Sequence, residues 1–350
     1  MKQCCNPECR GVAIDERNRC LGCGLIATDT IIKRRYRVES LLNRSSAGAS
    51  YLIVDSDCFD ERFVLKEFLA LAHNTSSAAI RFGQQVRTLC KLRHNGIPTL
   101  HAYFVLDERH YLVQEYIDGV SLADEMTRRN GPLEEFEVRM FLIGMLDILR
   151  YLHSQQPPVI HRDIKPSNIM KRRDGQYILL DFGIIREAAE ATPQTSSEPT
   201  SQSDLYALGI AAVELLTAAT ATKLVNPTTG ELNWRDVLSL HPSPAIEAVL
   251  EGLTHHDIDQ RFPSAEYAYA KLVDLIAPSP TGSLVEELER RIKVKSELEN
   301  QASATIDTNE ENIPWLEDIE PLDGQNEAGC DYLVELPCQE RIAPNKDCKE

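Results

Sequence analysis

The sequence predicts an α+β protein in which a β-rich lobe is joined to an α-rich lobe, with a small cysteine-rich prefix ahead of both. Three observations carry this. Strand-like runs crowd the chain before residue 117, long helical patterns follow Gly119, and five of the ten cysteines lie within the first 26 residues. Strands first and helices later is the ordering of segregated architectures rather than of an alternating parallel sheet.

The prefix, residues 1–26, is read from its spacing. Four residues separate Cys4 from Cys9, two separate Cys20 from Cys23, and ten lie between the pairs. Four thiolates at about 2.3 Å satisfy a tetrahedral zinc ion and leave no open coordination position, so the predicted site is structural. Gly24, directly after Cys20-Leu21-Gly22-Cys23, permits the backbone reversal of a metal knuckle. A segment this short cannot build a core of its own, and a bound metal replaces one. Two disulfides or free thiols are the competing reading. Cys5 could stand in for Cys4, but as its neighbour it should point elsewhere.

The lobes follow as residues 33–117 and 118–277. Tyr51–Val54 and Arg62–Lys66 are β-rich runs on either side of an Asp-rich turn. Ala78–Arg93 carries Ile80, Phe82, Val86, Leu89 and Leu92 at helical spacing. His101–Leu106 and His110–Glu115 read as two more strands. Leu133–His153 reads as a long helix with a broad apolar face that includes Phe136, Met140, Phe141, Leu146 and Leu149. Lys171–Leu180 reads as a hairpin turning at Asp174-Gly175. Pro278-Ser279-Pro280-Thr281-Gly282 then punctuates the chain as a linker. In the tail, residues 278–350, Ser283–Glu286 forms a capping box for a helix to about residue 301. Its stripe of Leu284, Leu288, Ile292 and Leu298 suits the lobe above or a partner helix. Beyond it the composition predicts a disordered acidic tail, in which Pro314-Trp315-Leu316 could serve as a docking motif.

Composition narrows the function. With 37 basic and 54 acidic residues the formal charge is −17, which argues against a nucleic-acid binder. Residues 278–350 hold 18 acidic and 7 basic side chains, a net of −11. The longest apolar run, Leu205–Leu216, is interrupted by Glu214 and too short to span a bilayer. No export signal precedes the cysteines, so the expected compartment is the reducing cytoplasm, where clustered cysteines bind metal more often than they pair.

The chemistry is concentrated in His161-Arg162-Asp163-Ile164-Lys165-Pro166-Ser167-Asn168, followed thirteen residues later by Asp181-Phe182-Gly183. Asp163 can accept a proton from an attacking hydroxyl. Lys165 can steady a transferring phosphoryl group. Asn168 and Asp181 can hold Mg²⁺ on nucleotide phosphates, and the hairpin between them returns Asp181 to Asn168. These motifs resemble the protein-kinase superfamily, and more narrowly the bacterial eukaryotic-like serine/threonine kinases with a four-cysteine prefix.

The resemblance implies the two-lobed kinase fold, Mg-ATP as co-substrate and protein Ser/Thr hydroxyls as acceptors. It makes Lys66 the strand lysine on the α- and β-phosphates, and the Glu115 carbonyl and Ile117 amide the hinge contacts to adenine. Val64 and Met170 would sandwich the adenine ring. Asp204 would anchor the catalytic loop, and Arg261 would be the arginine of the late helical lobe. Leu89, Leu100, His161 and Phe182 would stack between the lobes.

Three departures from the family pattern support a second expectation, a pseudokinase acting as a nucleotide-binding or scaffold module. Only Gly48 of three loop glycines is present, with Asn43 and Ser45 at the others. The helix glutamate that would face Lys66 is Gln85. Asp204 follows Asp181 by only 23 residues, with no Ala-Pro-Glu motif between them. Thr192, Thr195, Ser196, Ser197, Thr200 and Ser201 in that segment could accept phosphate and pair with Arg162.

Overall fold

The computed structural model describes residues 2–9, 13–45, 48–68, 76–183, 200–224, 232–238, 241–276 and 333–335, with the side chains of 76–81, 276 and 333–335 excepted. The proposed tail helix over 283–301, the Pro314–Leu316 motif and the phosphate acceptors Thr192 to Ser197 lie outside the described residues. The chain forms two compact units. The first contains residues 1–129, 159–200 and 330–350, and the second contains 130–158 and 201–329.

The first unit is built on an antiparallel sheet. Its strands are β1 (Ile31–Ile32), β2 (Tyr36–Arg44), β3 (Gly48–Asp55), β4 (Glu61–Phe68), β5 (Leu100–Leu106), β6 (Arg109–Glu115) and β10 (Leu333–Glu335), in the order β1-β2-β3-β4-β6-β5-β10. All four strands read from the sequence lie within it. Helix α1 (Ser76–Cys90) begins and ends slightly earlier than its apolar spacing suggested. Phe82 fixes it to the sheet, with its ring edge-on to Phe68 at 5.0 Å and to His110 at 5.4 Å. A second, three-stranded sheet joins β7 (Gly119–Ser121), β8 (Ile169–Arg172) and β9 (Tyr177–Leu179), beside helix α2 (Leu122–Arg129). The β8–β9 pair is the expected hairpin.

One face of the large sheet is closed by the prefix. Cys5, Leu25 and Ile26 join Tyr36, Tyr51, Leu65, Phe104 and Tyr111 in a continuous buried cluster. Prefix and sheet therefore share one core, which supplies the apolar burial that 26 residues lack alone.

The tail was expected to be disordered, yet Leu333–Glu335 pairs antiparallel with Phe104, Tyr103 and Ala102 of β5. The backbone of Leu333-Val334-Glu335 satisfies hydrogen-bonding groups of an otherwise open sheet edge.

The second unit is helical, with α3 (Glu135–His153), α4 (Ser201–Thr217), α5 (Ala221–Leu224), α6 (Pro244–Thr254) and α7 (Ala265–Ile276). Helix α3 starts at a capping box between Glu134 and Glu137. Val138, Phe141, Leu142, Met145, Leu146 and Leu149 form its buried stripe, whereas Phe136 stays 53% exposed and does not belong to that face. Helix α4 contains the apolar run Leu205–Leu216. No helix among the described residues is long and apolar enough to cross a membrane.

Candidate active site and cysteine cluster

The catalytic motif occupies a loop that leads into β8, and local bonding gathers its side chains. Lys165 Nζ donates to Asp163 Oδ2 at 2.8 Å. Asn168 Nδ2 donates to the Asp163 carbonyl and to Asp163 Oδ2, both at 2.8 Å. Both Asn168 donor hydrogens are thus directed at Asp163, which leaves its amide oxygen as an acceptor suited to a hard cation. His161 is fully buried; its ring nitrogen Nε2 lies 2.9 Å from the Leu180 carbonyl, and its ring packs on Phe182 at 4.7 Å. The amide of Gly183 returns to the His161 carbonyl at 2.8 Å. The loop and the Asp181-Phe182-Gly183 turn are therefore tied together as one piece.

Lys66 on β4 and Asp181 form a direct ion pair across 115 residues of sequence. Burial acts to raise the Asp181 carboxyl, but the Lys66 ammonium prevails and holds it below the ordinary aspartate value. Gln85, the residue expected opposite Lys66, has a buried Oε1 with no hydrogen-bond partner. The expected Lys66–Gln85 contact is replaced by Lys66–Asp181, since a full negative charge attracts the ammonium more strongly than an amide dipole.

Val64 is buried in β4 opposite Gln114. Met170 is in β8 opposite Ser121. The Glu115 amide donates to the Thr99 carbonyl at 2.9 Å, and Ile117 is buried. Leu89 and Leu100 are buried. Asp204 is almost fully buried, with Oδ2 3.0 Å from His153 Nε2. Arg261 donates to the His255 and Gln202 carbonyls and lies over the Tyr206 ring at 4.6 Å.

Polar residues stand at the missing glycines between β2 and β3. Asn43 Oδ1 accepts from the adjacent Arg44 amide at 2.7 Å, and the Ser45 amide and hydroxyl donate to the Gly48 carbonyl at 2.8 and 3.4 Å. Gly48 cannot be replaced without displacement, because a Cβ there would lie 2.0 Å from the Glu67 carbonyl oxygen.

In the prefix, the Sγ atoms of Cys4, Cys9, Cys20 and Cys23 all lie within 4.8 Å of one another. Cys4–Cys23 and Cys9–Cys20 are 3.4 and 3.6 Å apart, too far for disulfides and close to the ~3.8 Å edge of a tetrahedron with zinc–sulfur arms. Gly24 takes the left-handed backbone (φ +75°) as its amide closes the knuckle onto the Cys20 carbonyl at 2.7 Å. The Cys23 amide draws the Cys20 thiol down to about 7, whereas burial pushes the thiols of Cys4 and Cys23 up. Cys5 points into the shared core, and burial pushes its thiol up to about 11. It is therefore excluded from the cluster, as its adjacency to Cys4 suggested.

Sequence reasoning missed a charged cluster beneath the sheet. Glu67 has no side-chain exposure and accepts from Arg19, Arg109, Tyr51 and Tyr111. The only sequence signal is an acid at an inward strand position next to Lys66.

With this geometry in place, the comparisons define the class. The family model for the protein kinase domain matches residues 36–271. The chain is 32% identical over 283 residues to serine/threonine-protein kinase PknA of Nostoc sp., covering 72% of this chain and 50% of that protein. It is 34% identical over 264 residues to serine/threonine-protein kinase C of Synechocystis sp., covering 67% of this chain and 49% of that one. Among solved structures, the kinase domain of Mycobacterium tuberculosis PknI shares the fold with a TM-score of 0.56 at 21% identity, over 72% of this chain and 99% of that chain. The chain belongs to the protein kinase family. It spans about half the length of the curated relatives it matches.

Proposed function

We propose that the protein is an ATP- and Mg²⁺-dependent serine/threonine kinase acting on protein hydroxyls in the cytoplasm. The observation that carries this reading is the bonded set Lys66–Asp181 and Lys165–Asp163–Asn168. Asp163 receives the proton of the incoming Ser or Thr hydroxyl, whose oxygen forms the new bond to the γ-phosphorus as the bond to the β-phosphate oxygen breaks and ADP leaves. Asn168 holds the Asp163 carboxylate, and Lys165 offsets charge near the transferring group. Lys66 binds the α- and β-phosphates, Gly48 lies under the phosphate loop, and Val64, Met170, Glu115 and Ile117 form the adenine site. Asn168 and Asp181 have the oxygen donors that suit Mg²⁺, which when bound neutralises phosphate charge. Structural Zn²⁺ in the Cys4, Cys9, Cys20 and Cys23 cluster is the metal that suits four thiolates at these spacings. The domain reading is 1–26 for the prefix, 33–277 for the kinase and 278–350 for the tail.

Incubation with γ-labelled ATP, Mg²⁺ and a generic basic protein should give labelled phosphoserine and phosphothreonine. Label that persists after Mg²⁺ is chelated, or appears only on tyrosine, would refute the assignment. A second reading, a pseudokinase that binds nucleotide or serves as a scaffold, draws on the partnerless Gln85 oxygen and on Asn43 and Ser45. It predicts Mg-ATP binding with no transferred label.

A further inference from the structure

Two arginines connect the cysteine knuckle to the two strands that, on the kinase reading, cover the nucleotide. The first connection runs through β4. Side chains alternate along a strand, so the residue after Lys66 leaves by the opposite face, where the prefix lies. There the Glu67 carboxylate is sealed from solvent and held by Arg19 Nη2 at 2.7 Å and Arg109 Nη1 at 2.8 Å. Hydroxyls of Tyr51 and Tyr111 complete its coordination at 2.9 and 3.2 Å. Arg19 belongs to the prefix, immediately before Cys20. Its other terminal nitrogen donates to the Gly24 carbonyl at 3.0 Å, on the knuckle itself. One guanidinium thus spans from the metal-binding turn to the strand of Lys66.

The second connection runs through the loop. Arg44, the last residue of β2, donates from Nη2 to the Cys23 carbonyl at 3.3 Å. On the far side of the same loop, Gly48 packs against the Glu67 carbonyl with no room for a Cβ. The knuckle therefore grips the chain as it enters the loop, and through Glu67 it grips the strand onto which the chain returns. This occurs in a loop that keeps one of three signature glycines and in which Ser45 bonds the Gly48 carbonyl.

We propose that Arg19 and Arg44 are positioning residues for the nucleotide: through them the cysteine knuckle sets the phosphate loop and the Lys66 strand in register with one another. The inference rests on the kinase reading only in requiring that the native protein bind Mg-ATP. A buried carboxylate that loses one of two cations is left partly uncompensated, and its strand shifts to reach other donors or water. Lys66 is the adjacent residue, so that shift is felt at the phosphates. Loss of the Arg44 contact frees the loop end without exposing a buried charge.

The test uses the full chain and measures Mg-ATP affinity by calorimetry, KM and kcat for ATP, bound metal, and thermal stability. Arg44→Gln is exposed and should fold and retain metal as the native protein does, with ATP affinity about tenfold weaker and kcat little changed. Arg19→Gln should weaken affinity at least as much. Arg19→Lys, which keeps the charge, should recover most of the loss. Arg62→Gln, on β4 like Lys66, removes an exposed ion pair to Glu39 of β2 and should leave affinity unchanged. If Arg19→Gln does not fold, Arg44→Gln decides the matter. Native-like ATP affinity in a folded Arg44→Gln overturns the proposal while leaving the kinase reading intact. Absence of Mg-ATP binding by the native protein overturns both.

Discussion

Gln85 is the residue at which this site departs most consequentially from the family pattern. Its amide oxygen is buried without a partner, while Lys66 turns to Asp181. A carboxylate at 85 would compete with Asp181 for the ammonium and draw α1 toward β4. About 1.4 kcal/mol of such bias changes the ratio of docked to undocked helix tenfold. Gln85→Glu should therefore raise initial phosphate transfer to a basic protein several-fold, and Lys66→Ala should erase the gain. A folded Gln85→Glu that transfers no faster would shift suspicion to the short segment between Asp181 and Asp204. Gln85 was readable as a departure because the family motif fixes its position. The partner exchange was not, because Lys66, Gln85 and Asp181 belong to a strand, a helix and a turn whose meeting no local spacing records.

At the scale of elements, the prefix and the sheet stand or fall together. Leu25 and Ile26 are buried in the same cluster as Tyr51 and Leu65, so a metal that organises the prefix also completes the core. Combined Cys20→Ser and Cys23→Ser should lower bound zinc from about one per chain to none. Burial of Leu25 and of Ile26 contributes roughly 1.5–3 kcal/mol each, so losing both should lower the melting temperature by about 6–24 °C in a domain of this size. Metal analysis and a thermal melt check both, and unchanged zinc content in that variant would reject the ligand set. The cysteine spacing made the cluster readable, as β-rich runs did for β3, β4, β5 and β6. Strand β10 and the Glu67 cluster were not readable. The first is three residues long in an acidic tail, and the second joins Arg19, Glu67 and Arg109 from separate segments.

At the scale of the whole molecule, the order of the motifs carried the most information. On the kinase reading a strand lysine, a loop aspartate with its asparagine, and a second aspartate thirteen residues on serve one reaction, and within a single unit Lys66 pairs with Asp181 and Asn168 with Asp163. The helical unit was legible mainly through the apolar stripe of α3 and the apolar run of α4, which only Glu214 interrupts. The misassigned Phe136 shows that helical spacing alone does not say which edge of a broad stripe faces the core. The central claim is that Asp163 performs chemistry on a nucleotide that other residues hold. Single-turnover transfer from pre-bound, γ-labelled Mg-ATP, measured alongside Mg-ATP affinity, tests it most directly. Asp163→Asn should reduce the transfer rate by roughly 10²–10⁴-fold while leaving affinity near the native value. Equal transfer rates in native protein and Asp163→Asn would contradict the account.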